Sequence, residues 1–330
     1  MLKKRMLGRS GLEVSPLALG GNVFGWTVDE PMAFRILDAF TDAGGNLLDT
    51  ADSYSRWVPG NSGGESETMI GRWLNTRGNR SKVVIATKVG SPMGPGMKGL
   101  KMAYILDAVE GSLKRLQTDH IDLYQSHFFD PDTPQEETLE AYAKLVGQGK
   151  IRAIGASNFT TGQLEEALNI SGRLGIPAYQ SLQPRYNLYD REEYERSLEP
   201  LCRERGLGVI TYYSLASGFL TGKYRSADDL NKSVRGQNAG RYMSARGFRI
   251  LDALDRVADH YHAQPASVAL AWLIARPGIT APIASVTNRA QLEDLLKAAT
   301  IDLDAASLAS LDTASTWRTN SETGSRSRAA

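Results

Sequence analysis

Short, apolar, β-branched runs alternate along this chain with longer stretches in which apolar residues return every three or four positions. The short runs are Leu17–Leu19, Leu47–Asp49, Val83–Lys88, Ile121–Ser126, Ile151–Ser157, Ala178–Gln183, Gly208–Tyr212 and Ile279–Ser285. They read as strands, and their nearly unbroken apolar character suits strands covered on both faces. The longer periods predict helices near Pro31–Ala43, Glu65–Asn75, Met102–Leu116 and Pro134–Gly147, with further helical segments beyond, one starting near Arg246. In the third helix Met102, Ile105, Leu106, Val109, Leu113 and Leu116 share one face. Start signals support the pattern. Thr133-Pro134-Gln135-Glu136 predicts a capping box with proline at the first helical position, and Thr160 with Gln163 and Asp190 with Glu193 repeat the signal.

Eight strand–helix alternations allow a closed parallel barrel or a doubly wound open sheet. The open dinucleotide-binding sheet wants G-x-G-x-x-G after its first strand, and Gly20-Gly21-Asn22-Val23-Phe24-Gly25 lacks that spacing. The expected fold is therefore an α/β (β/α)8 TIM barrel with long active-site loops, residues 1–330 forming one domain. The longest loop runs from Tyr212 to about Arg246 and holds Gly218, Gly222, Gly236 and Gly240; another spans Ser91–Gly99. Insertions of that length in a compact fold usually serve function. The polar tail from about residue 320 reads as disordered.

Composition narrows the function classes. With 38 basic against 37 acidic residues the formal charge is +1, which offers no basic excess for nucleic acid or an anionic membrane surface. The one cysteine, Cys202, has no partner for an internal disulfide. No signal-peptide pattern or membrane-length apolar run is present, so a cytoplasmic location is expected. His120 precedes the fourth strand and reads as structural. His260 and His262 stand two apart on a predicted helix and do not share a face, so no metal site is expected.

Barrel enzymes place their chemistry at the C-terminal ends of the strands. The polar residues closing these strands are Asp49, Lys88, His127, Ser157 with Asn158, Gln183, Tyr212 and Ser285, and Tyr54 follows Asp49 by five residues. A free phenol titrates near ~10 and is a poor acid at neutral pH. An adjacent Lys88 ammonium is expected to lower that value, with Asp49 holding the lysine charged. His127 can orient or polarise a substrate oxygen. A carbonyl held between Tyr54 and His127 could take a hydride on carbon and a proton on oxygen.

Seven stretches then carry a resemblance to the aldo-keto reductase superfamily, covering about Met1 to Thr313. They are Asn46-Leu-Leu-Asp-Thr-Ala-Asp-Ser-Tyr54, Ile85-Ala-Thr-Lys88, Asp122-Leu-Tyr-Gln-Ser-His127, Gly155-Ala-Ser-Asn-Phe159 and Gln183-Pro-Arg-Tyr-Asn187, followed by the runs Tyr212–Tyr224 and Ala284–Leu292. The Y-N-L-x-x-R and L-T-G-K-Y segments resemble the bacterial aryl-alcohol-dehydrogenase and potassium-channel β-subunit branches. The resemblance implies reduction of aldehyde or ketone carbonyls by NADP(H), reversible toward alcohol oxidation. It makes Tyr54 the general acid, tuned by Lys88 and Asp49, with His127 orienting the carbonyl. It places Gly21, Asn22, Ser157, Asn158 and Gln183 at the nicotinamide, counts Asp49 among the cofactor contacts as well, and puts Leu215, Ser217, Gly218 and Lys223 in the loop over the pyrophosphate. Ser285, Thr287, Arg289, Gln291 and Asp294 fall at the adenosine phosphate.

The chain departs from the family pattern in two ways. Neither Ala284 nor Thr287 is cationic, which leaves Arg289 to meet a 2′-phosphate, with Arg235 or Arg241 assisting and NAD(H) as the alternative cofactor. Ser214 stands where proline is usual, and Tyr213 is added, so either Tyr212 or Tyr213 would stack on the nicotinamide. Trp26, Trp57 and Phe128 are candidates for an aromatic substrate wall, and Arg56 for an anion contact. The expected partner is a small carbonyl or alcohol substrate. The alternative reading is a cofactor-sensing regulatory subunit, against which His127 argues.

Overall fold

The computed structural model describes residues 2–318; the tail from about residue 320 lies outside them. Two short strands, β1 (Arg5–Met6) and β2 (Glu13–Val14), form an antiparallel hairpin. Eight parallel strands follow: β3 (Ala18–Gly20), β4 (Leu47–Asp49), β5 (Val84–Val89), β6 (Ile121–Ser126), β7 (Ile151–Ser157), β8 (Ser181–Gln183), β9 (Gly208–Thr211) and β10 (Ile279–Ala284). They close in chain order, with β10 pairing β3, into the expected (β/α)8 barrel.

The barrel has two apolar compartments. Leu47, Val84, Ala86, Leu123, Ala153, Ile210, Ala281 and Ile283 cluster with Leu7, Leu12 and Val14 of the hairpin, so the N-terminal segment plugs the barrel. That plug was not legible in the sequence, because two-residue strands have no period to detect. It is held by Gly8, whose φ of +56° and closeness to the Gln180 carbonyl (a Cβ would lie 2.3 Å away) require glycine.

The outer compartment packs the helices on the strands. These are α1 (Glu30–Asp42), α2 (Glu65–Arg77), α3 (Met102–Leu116), α4 (Gln135–Gly147), α5 (Thr161–Leu174), α6 (Glu199–Arg205), α7 (Gly236–Ala239), α8 (Ala245–His260), α9 (Pro265–Ala275), α10 (Arg289–Ala298) and α11 (Ala305–Ser315). The face of α3 picked out by period buries Ile105, Val109, Leu113 and Leu116. Thr160 and Gln163 form the capping box of α5.

Two start signals fail. Thr133 does not cap α4: its hydroxyl donates to Asp130 Oδ2 at 2.7 Å, and Pro134 occupies the cap position. Asp190 accepts from Asn187 and Tyr242 instead of capping, and a π-helical turn over Tyr194–Leu198 leads into α6. Local side-chain partners outcompeted the helix terminus at both sites. The two late histidines also separate, since His260 ends α8 and His262 follows it in a left-handed turn.

Arg191, in the segment after β8, makes the long-range closure of the chain. Its buried guanidinium pairs with Glu195 at 2.7 Å and Asp312 at 3.0 Å, and donates to Ser315 at 2.6 Å. This ties the segment after β8 to α11. No helix among the described residues is long and apolar enough to cross a membrane.

Candidate active site

Strand register sets the site. Gly20 pairs with Asp49, Asp49 with Ala86, Lys88 with Gln125, and Ser157 with Gln183, so neighbouring strands deliver their last polar residues to one rim. Asp49 and Lys88 are 2% and 0% exposed. The Lys88 ammonium lies 2.8 Å from Asp49 Oδ1 and donates to Asp49 Oδ2 at 2.9 Å, to the Thr50 carbonyl at 2.8 Å and to Tyr54 Oη at 2.7 Å. Tyr54 in turn donates to Asp49 Oδ2 at 3.0 Å. Three acceptors that all need an N–H require the charged, three-proton form of the lysine.

The electrostatics correct one expectation. Tyr54 is not lowered: burial first, then the Asp49 carboxylate, holds its pKa well above the usual phenol range. The phenol is thus fully protonated at neutral pH. Burial also lowers Lys88 from its ordinary value, against the upward pull of Asp49.

His127 follows β6. Its backbone N–H bonds the Val89 carbonyl at 2.8 Å, while Nδ1 is buried without a hydrogen-bond partner. Its ring stacks on Phe128 with centroids 4.8 Å apart and lies 6.2 Å from the Tyr54 ring. Burial, then the charge of Lys88, holds the imidazole well below its usual pKa, so it is neutral at physiological pH. The unfolded chain takes up this proton near pH ~6.5. Stability from this group is therefore present above that pH and lost as pH falls below it, by up to about 1.4 kcal/mol per pH unit. Urea unfolding followed from about pH 7 down to 5 should show a shallower loss for His127→Gln than for wild type. Identical slopes would mean that His127 is not held neutral.

A second cluster adjoins the first. Gln183 Nε2 donates to Asp49 Oδ1 at 2.9 Å, and Ser157 Oγ donates to the Gln183 carbonyl at 2.9 Å. Asn158, in the left-handed region at φ +57°, donates to the His127 carbonyl at 2.9 Å and accepts from the Tyr212 hydroxyl at 2.6 Å. Tyr213 stands edge-on to Tyr212 at 5.5 Å and is 44% exposed. At the ends of the neighbouring strands β10 and β3, the Ser285 hydroxyl donates to Asn22 Oδ1. Gly21 donates to the Asp49 carbonyl at 2.7 Å, and its missing side chain is explained by Ser66, 2.6 Å from where a Cβ would sit.

The loop after β9 turns sharply through left-handed residues Ala216, Ser217 and Gly218, following Leu215, with Lys223 beside Gly218. Thr287 donates to Gln291 Oε1 at 2.8 Å, Asn288 caps α10, and Arg289 pairs with Glu293 at 3.1 Å on the surface. On α10 the Asp294 carbonyl accepts from Ser267, which anchors the helix to α9. Arg241 lies against Tyr242 and within 3.6 Å of Asp190. Arg235 reaches the mouth itself, its guanidinium 4.9 Å over the Trp26 ring and its Nη2 buried without a hydrogen-bond partner.

Trp26 and Trp57 meet edge to face at 5.6 Å, and Trp57 lies 6.2 Å from Tyr54. Trp57 and Phe128 remain 50% and 44% exposed, which puts a partly open aromatic wall around the phenol. Arg56 donates to the Met93 carbonyl at 3.1 Å and clasps two loops together. Sequence reasoning passed over Asp52, Glu67 and Arg115, which pack behind Lys88. An acid on a helix face reads as solvated unless its buried partner on another element is known.

A carboxylate, an ammonium, a phenol and a neutral imidazole meet at one rim of a closed parallel barrel. The aldo/keto reductase family model matches residues 16–316. An uncharacterised oxidoreductase of Bacillus subtilis is 40% identical, covering 90% of this chain and 91% of that protein. A probable voltage-gated potassium channel β subunit of rice is 34% identical over 90% and 91% of the two chains. A putative aryl-alcohol dehydrogenase of Schizosaccharomyces pombe is 33% identical over 90% and 91%. The chain belongs to the aldo/keto reductase family, whose members are oxidoreductases that generally use NAD(P)H.

Proposed function

We propose that this protein reduces aldehyde or ketone carbonyls with NADPH, Tyr54 acting as the general acid within a single barrel domain. The observation that carries the reading is the hydrogen-bonded node at Tyr54 Oη, which accepts from Lys88 and donates to Asp49. A carbonyl oxygen brought against this hydroxyl can take its proton. The Lys88 ammonium then compensates the phenolate as it forms, in a site where burial strengthens that interaction. The neutral His127 donates a hydrogen bond to the same oxygen and orients it, and Trp26, Trp57 and Phe128 hold the substrate's apolar body.

The residues present fit the cofactor. Ser157, Asn158 and Gln183 form an interlocked amide and hydroxyl set suited to a carboxamide, next to the Tyr212–Tyr213 aromatic pair. The unpaired Nη2 of Arg235 suits an anion near the mouth. Gly21 and Asn22 would border the ring, and Leu215, Ser217, Gly218 and Lys223 would cover the pyrophosphate. Ser285, Thr287, Arg289, Gln291 and Asp294 would meet the adenosine end. When bound, the cofactor supplies the hydride.

Fluorescence titration with NADPH and NADH, followed by oxidation of each with a panel of aldehydes, tests the assignment. NADPH should bind at least about ten-fold more tightly than NADH, and Arg289→Ala should remove most of that preference. Equal affinities would withdraw the phosphate role of Arg289. Similarity to potassium-channel β subunits favours one second reading, a cofactor-sensing subunit; tight binding without turnover on any carbonyl would select it.

A further inference from the structure

Behind Lys88 lies a second set of charges. Glu67 on α2 is fully buried; it accepts from Thr87 Oγ1 at 2.6 Å and from Arg115 Nε of α3 at 2.7 Å. Asp52, 3% exposed, donates its backbone N–H to the Lys88 carbonyl at 3.2 Å, and its carboxyl Oδ1 is buried with no hydrogen-bond partner. The titratable groups facing Asp52 are Lys88, Glu67, Arg115, Tyr104, Tyr124 and Tyr142. The three phenols are raised by burial and stay neutral.

The charges do not balance when every acid is ionised. Of the cations that act on Asp52, Arg115 is already paired with Glu67 and Lys88 with Asp49, and Arg235 lies on the Tyr54 side of the site, over Trp26, so an ionised Asp52 would have no cation of its own. Asp49 is satisfied by Lys88, Tyr54 and Gln183, and Glu67 by Thr87 and Arg115. Only Asp52 has an oxygen that nothing meets, so the odd proton belongs there. We propose that Asp52 is a positioning residue for the Lys88–Tyr54 pair, its carboxyl carrying the proton that balances this buried cluster and releasing it as pH rises. The proposal rests on Tyr54 being the proton donor.

Its consequence is a pH dependence with a definite sign. Burial, then the Glu67 charge, pushes the Asp52 carboxyl up to about 8. Below that value the cluster is balanced and can stabilise a developing phenolate through Lys88. Above it, an added negative charge opposes phenolate formation, and carbonyl reduction slows.

The test combines two measurements on the full chain. The pH profile of kcat for aldehyde reduction should show an inflection near that value in wild type. The ratio of Asp52→Asn to wild-type kcat should rise on the order of ten-fold between about pH 6 and 9.5, because the amide cannot ionise. Asp52→Glu should restore an inflection, and Glu67→Gln should move it to lower pH by removing a like charge. A ratio that is flat with pH would show a merely structural role and overturn the proposal.

Carbon-13 NMR of aspartate-labelled protein reads the same group without turnover. One carboxyl should titrate in that range and vanish in Asp52→Asn; no carboxyl titrating above about pH 6 would overturn the proposal outright. A titrating carboxyl in a wild-type protein that oxidises no NADPH would instead overturn the reductase reading, and with it the positioning role of Asp52.

Discussion

Tyr54→Phe is expected to lower kcat for carbonyl reduction by about 10²–10⁴-fold, the range lost when a positioned general acid is removed. The substitution deletes one oxygen and leaves the ring in place against Trp57 and His127. Lys88 keeps its contacts to Asp49 and the Thr50 carbonyl, so the barrel rim loses two hydrogen bonds and the fold remains. Stability should drop by only about 1–2 kcal/mol, the ordinary net worth of such bonds. Affinity for NADPH, read by fluorescence titration, should change by less than about three-fold, since the groups proposed to hold the ring, on β7, β8, the segment after β9 and the turn after β3, make no hydrogen bond to the phenol oxygen, which bonds Lys88 and Asp49. Turnover within about ten-fold of wild type would sink the acid assignment. Loss of cofactor binding along with turnover would mean that the phenol shapes the cofactor site instead.

The barrel and its chemical rim were legible for one physical reason. A parallel strand buried on both faces shows an apolar run, and the polar residue that ends it must face the mouth. Asp49, Lys88, His127, Ser157 and Gln183 stand out on that logic alone, and the structure brings them to one rim. Less legible was anything set by contacts between elements distant in sequence. The hairpin plug depends on Leu7 and Leu12 meeting Ile210 and Ile283. The direction of the Tyr54 shift depends on how deeply the phenol is buried, and sequence position does not report depth. Thr133 and Asp190 carry cap signatures, yet Asp130 and Tyr242 claim them, and neither competitor is visible in a local window. Asp52 illustrates the same limit, because its meaning comes from Glu67 and Arg115 on two separate helices.

Lys88→Met should destabilise the protein by about 3–5 kcal/mol as well as abolish measurable turnover, because it leaves a buried carboxylate without its cation. Asp49 would retain the Tyr54 hydroxyl and the Gln183 amide as donors, which satisfy its lone pairs without neutralising its charge. Asp49→Asn leaves the converse, an ammonium facing only neutral oxygens. The double variant Asp49→Asn with Lys88→Met has no unpaired charge, and methionine fills much of the volume of the lysine stem. It should therefore be more stable than Lys88→Met alone, giving an interaction term on the order of 2 kcal/mol in a double-mutant cycle. Urea unfolding monitored by tryptophan fluorescence measures all four proteins. Additive losses would show that the two groups stabilise the fold independently. The expected non-additivity would separate the two roles of the pair. Its charges contribute little net stability once desolvation is counted, so their value lies in poising Tyr54, and the more stable double variant should remain as inactive as either single one.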